Sequence, residues 1–122
     1  MKRQTLKVFL FISLLSGMSS SIYSENTVSG KWRCVGRDLA DEDVVFVLDL
    51  KQTGGTVTGT ATTDETEIQI QQGTIDGNKM EFVTEAEGVR YTSNVIIDND
   101  KLKATWKDSM SRSGTWTGER IK

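Results

Sequence analysis

The sequence predicts an all-β domain, an eight-stranded antiparallel up-and-down barrel built as a meander. Three observations carry this reading. From residue 28 onward apolar side chains recur at every second position, not every third or fourth. Turn signals separate these runs at short, regular intervals. The 122 residues contain no Pro, so every ladder position keeps its N–H.

The elements follow in order. The first strand, 28–37, sets Trp32 and Cys34 on one face. A polar loop from Asp38 leads to 43–52, where Val44, Phe46, Leu48 and Leu50 share a face. Thr53-Gly54-Gly55 turns the chain into 55–62, with Val57, Gly59 and Ala61 inward. Thr63-Asp64-Glu65-Thr66 precedes 67–75, where the parity breaks between Ile70 and Ile75; a bulge at Gly73 restores it. Asp76-Gly77-Asn78 has the positive-φ chemistry of a tight hairpin. Strand 79–86 carries Met80 and Phe82, and Glu87-Gly88 turns into 89–98 with Val89, Tyr91, Ser93 and Val95. Asp98-Asn99-Asp100 leads to 101–107 with Leu102, Ala104 and Trp106. A loop beginning at Asp108 leads to 113–121, with Trp116, Gly118 and Arg120.

Each connection is too short for a parallel crossover, so neighbouring strands are antiparallel. Pairing the last strand with the first removes both open edges, and eight strands suit a small barrel. A two-sheet sandwich needs longer Greek-key connections. The inward set is nearly all apolar. Its polar members are Tyr91, Ser93 and Arg120, with Thr84 and Gln72 as further candidates. Small residues at Gly59, Ala61, Ala104 and Gly118 either let large neighbours interdigitate or leave a hollow. Short strands and three Trp favour a mostly filled core.

Residues 1–24 read as a signal peptide. Lys2, Arg3 and Lys7 are their only charges, a short apolar run spans Val8 to Leu15, and small polar residues end at Ser24. The run is shorter than the ~20 residues that span a bilayer. Met18 stands where a lipobox requires Cys, so no lipid anchor is expected. The mature domain, 25–122, has 98 residues and a net charge of −5. We expect it to be exported, periplasmic or secreted, with no membrane insertion after signal cleavage. An acidic surface repels nucleic acid, so none is expected as a partner. Cys34 has no second Cys to pair with and reads as a small buried residue.

Catalysis has little to work with. No His means no Ser-His or Cys-His pair. The carboxylates sit on loops and outward positions, where water solvates them, so no enzyme activity is expected. The loop acids Asp38, Asp41, Glu42 and Asp43 lack a calcium-loop spacing, and no metal or cofactor is expected.

The chain ends carry a pairing of another kind. Gly30-Lys31-Trp32 opens the first strand, and Trp116-Thr117-Gly118-Glu119-Arg120 lies in the last. This Gly-x-Trp start and Trp-x-x-x-Arg finish resemble the calycin superfamily of lipocalins, avidins and fatty-acid-binding proteins. Val57-Thr58-Gly59-Thr60 is similar to the third strand of avidins. The resemblance implies that Gly30, Trp32, Trp116 and Arg120 form a structural closure, the Trp packing across one end beneath the Arg. The avidin biotin site does not carry over, because Arg33 and Cys34 follow Trp32 where avidins place polar ligand residues.

Two functions are therefore expected as alternatives. One is binding of a small apolar molecule at the barrel mouth, lined by Phe46, Phe82, Tyr91 and Trp106. The other is a protein-interaction module or enzyme inhibitor that meets an unknown protein partner through its loops, with a filled barrel. Ser29-Gly30-Lys31-Trp32 also resembles the start of small periplasmic protease inhibitors, but only Glu25, Asn26 and Thr27 would precede the first strand as an arm.

Overall fold

The computed structural model describes residues 27–37 and 40–122. The expected signal peptide and its cleavage site lie outside these residues, as does Asp38. The strands are β1 (Gly30–Arg37), β2 (Asp43–Thr53), β3 (Thr56–Thr62), β4 (Glu67–Gln69), β5 (Gln71–Asp76), β6 (Lys79–Ala86), β7 (Val89–Asp98), β8 (Lys101–Asp108) and β9 (Ser113–Arg120). All pairings are antiparallel, in the order β2-β1-β9-β8-β7-β6-β5-β3, and β3 returns to β2. β4 and β5 share one position in the wall, both bonded to β3, so the barrel has eight positions.

Closure rests on the β1–β9 ladder, which runs from Trp32 opposite Arg120 to Gly36 opposite Trp116. Alternation along both strands puts Trp32, Cys34, Trp116 and Gly118 inside, and all four are buried.

The fourth predicted strand is broken at Ile70. The register shifts between Gln71 and Thr74, and Gln72 takes a positive φ of 53°. The expected bulge at Gly73 falls within this shift, and it returns Ile75 to the inner face. Gln72 itself points out and accepts a hydrogen bond from Arg90 at 3.0 Å, so it is not an interior residue. Val83, outward by alternation, is nonetheless buried where it faces Gln71 beside the shift. Gly59 makes the bend on the facing strand. Its φ of 151° and the closeness of the Asp49 carbonyl leave no place for a side chain.

The end at Gly30 is sealed. Trp32 is fully buried, its indole N–H donates to the Val28 carbonyl at 2.9 Å, and the Arg120 guanidinium lies 4.3 Å over its ring. Arg120 donates from Nε to Asp100 at 2.9 Å, from Nη1 to the Ser29 carbonyl at 2.7 Å, and from Nη2 to the Thr27 carbonyl at 3.0 Å. A half-buried cation is tolerated here because each of its three nitrogens has an acceptor. Residues 28 and 29 do not extend β1, as the sequence reading has them. They fold beneath the barrel, where Val28 is fully buried and its N–H donates to the Gln52 side chain at 3.0 Å.

Above this floor Leu48, Leu50, Val57, Met80, Val95 and Leu102 fill the lower interior. Cys34 is buried among them, facing Gly118, where a Cβ would lie 2.9 Å from its sulfur. Burial pushes its thiol up to about 12, against a weaker opposing bond to the Leu48 backbone. At neutral pH it is a protonated, weakly polar packing group.

A cavity at the open end

The other half of the barrel is hollow. A cavity of about 680 Å³ opens between the ends of β1, β6 and β8 and the starts of β2, β7 and β9. The expectation of a mostly filled core therefore holds only below Trp116. The reason is side-chain size. Inward positions near the floor carry Leu50, Met80 and Leu102, whereas those on the cavity wall include Gly36, Ala61, Thr84 and Ala86. Small residues cannot span the barrel interior, so the space above the layer in which Phe46, Trp116 and Phe82 meet stays open.

The four residues assigned to the mouth by the sequence, Phe46, Phe82, Tyr91 and Trp106, all line this cavity. They form two groups. Tyr91 and Trp106 meet edge to face, with centroids 5.7 Å apart and planes at 66°. Phe46 and Phe82 both pack on Trp116, at 5.4 and 6.2 Å between centroids. These separations fall in the favourable range for aromatic pairs, so the walls are held in place without a ligand. Gly114 provides the space for Trp106: it lies directly opposite, and a Cβ there would sit 2.7 Å from the indole nitrogen.

Trp116 departs from the closure grouping. Gly30, Trp32 and Arg120 come together at the sealed end, a Cβ on Gly30 being only 3.0 Å from the guanidinium. Trp116 lies four residues back along β9, about 13 Å at strand rise, and lines the cavity instead. Its indole N–H donates to the Ser93 hydroxyl at 3.3 Å. Ser93 is 5% exposed, and among the described residues its own hydroxyl proton has no acceptor. It lies one inward step deeper than the Thr84 and Tyr91 hydroxyls, which also line the cavity.

Polar chemistry gathers at the rim. Asp108 continues the inward alternation of Leu102, Ala104 and Trp106 by one more step, a signal present in the sequence but read there as the start of a loop. Its side chain is out of contact with solvent. It accepts from the Met110 and Arg112 backbone N–H groups, each at 2.9 Å, and from Arg112 Nε at 2.7 Å. Burial works to raise its pKa, but these bonds and the guanidinium charge outweigh it and hold the carboxyl below its ordinary range. Arg37, also at the rim, faces Asp41 at 3.1 Å and Asp43 at 3.5 Å. Among the described residues no three metal-ligating side chains of the His, Cys, Asp and Glu types come together.

No family model and no curated protein matches the sequence. Among solved structures, the chain is similar to one described as a redesigned beta barrel, with a TM-score of 0.60 and 13% identity over 78% of this chain and 92% of that one. At that identity the likeness shows the fold alone: this chain is a closed antiparallel β-barrel.

Proposed function

We propose that this protein is an exported, non-catalytic barrel of the calycin type that binds a small apolar molecule in the cavity at its open end. The observation that carries the reading is the hollow itself, about 680 Å³ with Phe46, Phe82, Tyr91, Trp106 and Trp116 on its walls. That volume lies within the usual range of small-molecule sites, where apolar walls and a few polar groups are the rule. A ligand burying about 250 Å² of apolar surface gains about 6 kcal/mol before the costs of association. Even before those costs this gain corresponds to a Kd of only tens of micromolar, so weak binding is the expected order.

The calycin reading draws support from the sealed end, where the Gly30-Lys31-Trp32 opening meets Arg120. Outward strand positions such as Lys101, Lys103, Thr105 and Lys107 are exposed and polar, unlike the apolar band of a lipid-facing barrel. This favours a partner that enters the cavity over a membrane around the wall.

The test is titration of N-phenyl-1-naphthylamine against the intrinsic tryptophan emission. Trp106 and Trp116 line the cavity, so a saturable change is expected. Ala61→Phe places a ring in the cavity and should abolish the change while leaving a cooperative unfolding transition. A linear, non-saturable response in the parent protein would overturn the reading. Capture of a protein partner by a barrel that takes no probe would favour the interaction-module alternative.

A further inference from the structure

The rim and the interior together select the charge of what enters, an inference that rests on the cavity-binding reading above. We propose that the cavity takes apolar molecules whose polar end is neutral or cationic, and rejects those ending in a carboxylate or sulfonate.

The first observation is the uneven charge of the two ends. Among the described residues, the mouth segments 37–43, 63–67, 85–90 and 107–113 hold nine carboxylates against four cations. The opposite segments 27–33, 49–56, 74–81, 96–103 and 117–122 hold six carboxylates against eight cations. Over the described residues the mouth thus carries −5 and the sealed end +2. The acids come from all four mouth connections, so they surround the opening.

The second observation lies inside. An anionic head needs a free cation or several donors, because a buried charge without partners is strongly disfavoured. The two guanidiniums on the cavity wall are already engaged, Arg37 with Asp41 and Asp43 and Arg112 with Asp108. Deeper in, Ser93 offers one hydroxyl proton, more than nine-tenths buried and without an acceptor among the described residues. Together with the Thr84 and Tyr91 hydroxyls higher on the same wall it offers neutral donors, which serve an alcohol, ether or carbonyl oxygen and bring no positive charge to meet a carboxylate. Neither end of the cavity therefore accommodates an anion, while the rim attracts an ammonium.

The effect is measurable. A single negative charge about 10 Å from a net −5 in water is disfavoured by on the order of tenfold at 10 mM salt, and by about threefold at 150 mM.

The test uses three probes with one alkyl chain, dodecylamine, 1-dodecanol and dodecanoate, each displacing N-phenyl-1-naphthylamine. Dodecanoate should compete at least about tenfold more weakly than the alcohol at 10 mM salt, with the gap narrowing as salt rises. Dodecylamine should equal or exceed the alcohol. Asp64, Glu65 and Glu87 are exposed mouth acids whose side chains make no hydrogen bond or ion pair among the described residues. Changing them together, Asp64→Lys, Glu65→Lys and Glu87→Lys, takes the rim from −5 to +1 and should reverse the order of the two charged probes. Equal competition by dodecanoate and dodecanol at 10 mM salt, with no salt dependence, overturns the charge selection and leaves the cavity reading intact. Failure of the naphthylamine itself to bind overturns both.

Discussion

At the Gly30 end of the barrel, Trp32 and Val28 are fully buried and all three guanidinium nitrogens of Arg120 have acceptors. At the Ala86 end the same strands present Gly36, Ala61 and Thr84 across an open space, and among the described residues the Ser93 hydroxyl is left with a proton to donate. One end completes its packing and its hydrogen bonds within the chain. The other completes neither. A 680 Å³ hollow lined by aromatic rings forgoes packing that the lower half obtains. The stability that tolerates it must come from the floor and from the closed ladder.

The largest break in this comparison is Trp32→Ala. It empties the centre of the floor and should lower stability by about 3–5 kcal/mol, a fall in Tm of more than about 12 °C for a domain of this size. Chemical denaturation checks it, and an unchanged midpoint would separate the floor from the stability of the barrel. Arg120→Ala is smaller. It loses the stacking on Trp32 and the three hydrogen bonds that Arg120 donates to Asp100, Ser29 and Thr27, for about 2 kcal/mol. Its sharper outcome is in binding: the affinity for N-phenyl-1-naphthylamine should stay within about twofold, because the residue lies at the sealed end.

The smallest effect concerns the rim and depends on pH. The Asp108 carboxyl is held below its ordinary range, so the folded state favours its ionised form. The resulting stability is present above the ordinary carboxylate pKa and is lost as pH falls through the lowered one. Asp108→Asn should therefore lower Tm at pH 7, and the gap to the parent should close as the medium is taken below about pH 4. A gap of constant width across that range would mean that Asp108 acts through shape and not charge.

Much of the wall was legible in the residue order. Met80 and Phe82, or Leu102, Ala104 and Trp106, announce their strands because a half-buried ladder alternates, and no neighbouring element can change that parity without a bulge. Even the bulge shows, as the mismatch between Ile70 and Ile75 around Gly73. The same alternation brought Phe46, Phe82, Tyr91 and Trp106 to one cavity. It failed where position along the barrel axis mattered. Trp116 and Arg120 share a parity, yet one lines the cavity and the other seals the floor. Val28 reads as the start of a strand, because a residue that plugs an end has no period to betray it.

Local order therefore determined the strands, most of their faces and the antiparallel pairing of neighbours, since each follows from a repeat of two and from turns too short to do otherwise. Whether the interior was hollow came only from the closed structure. Filling a barrel depends on the volumes of side chains that meet across it from strands far apart in the chain. No run of neighbours records that Gly36, Ala61, Thr84 and Ala86 reach the same end together.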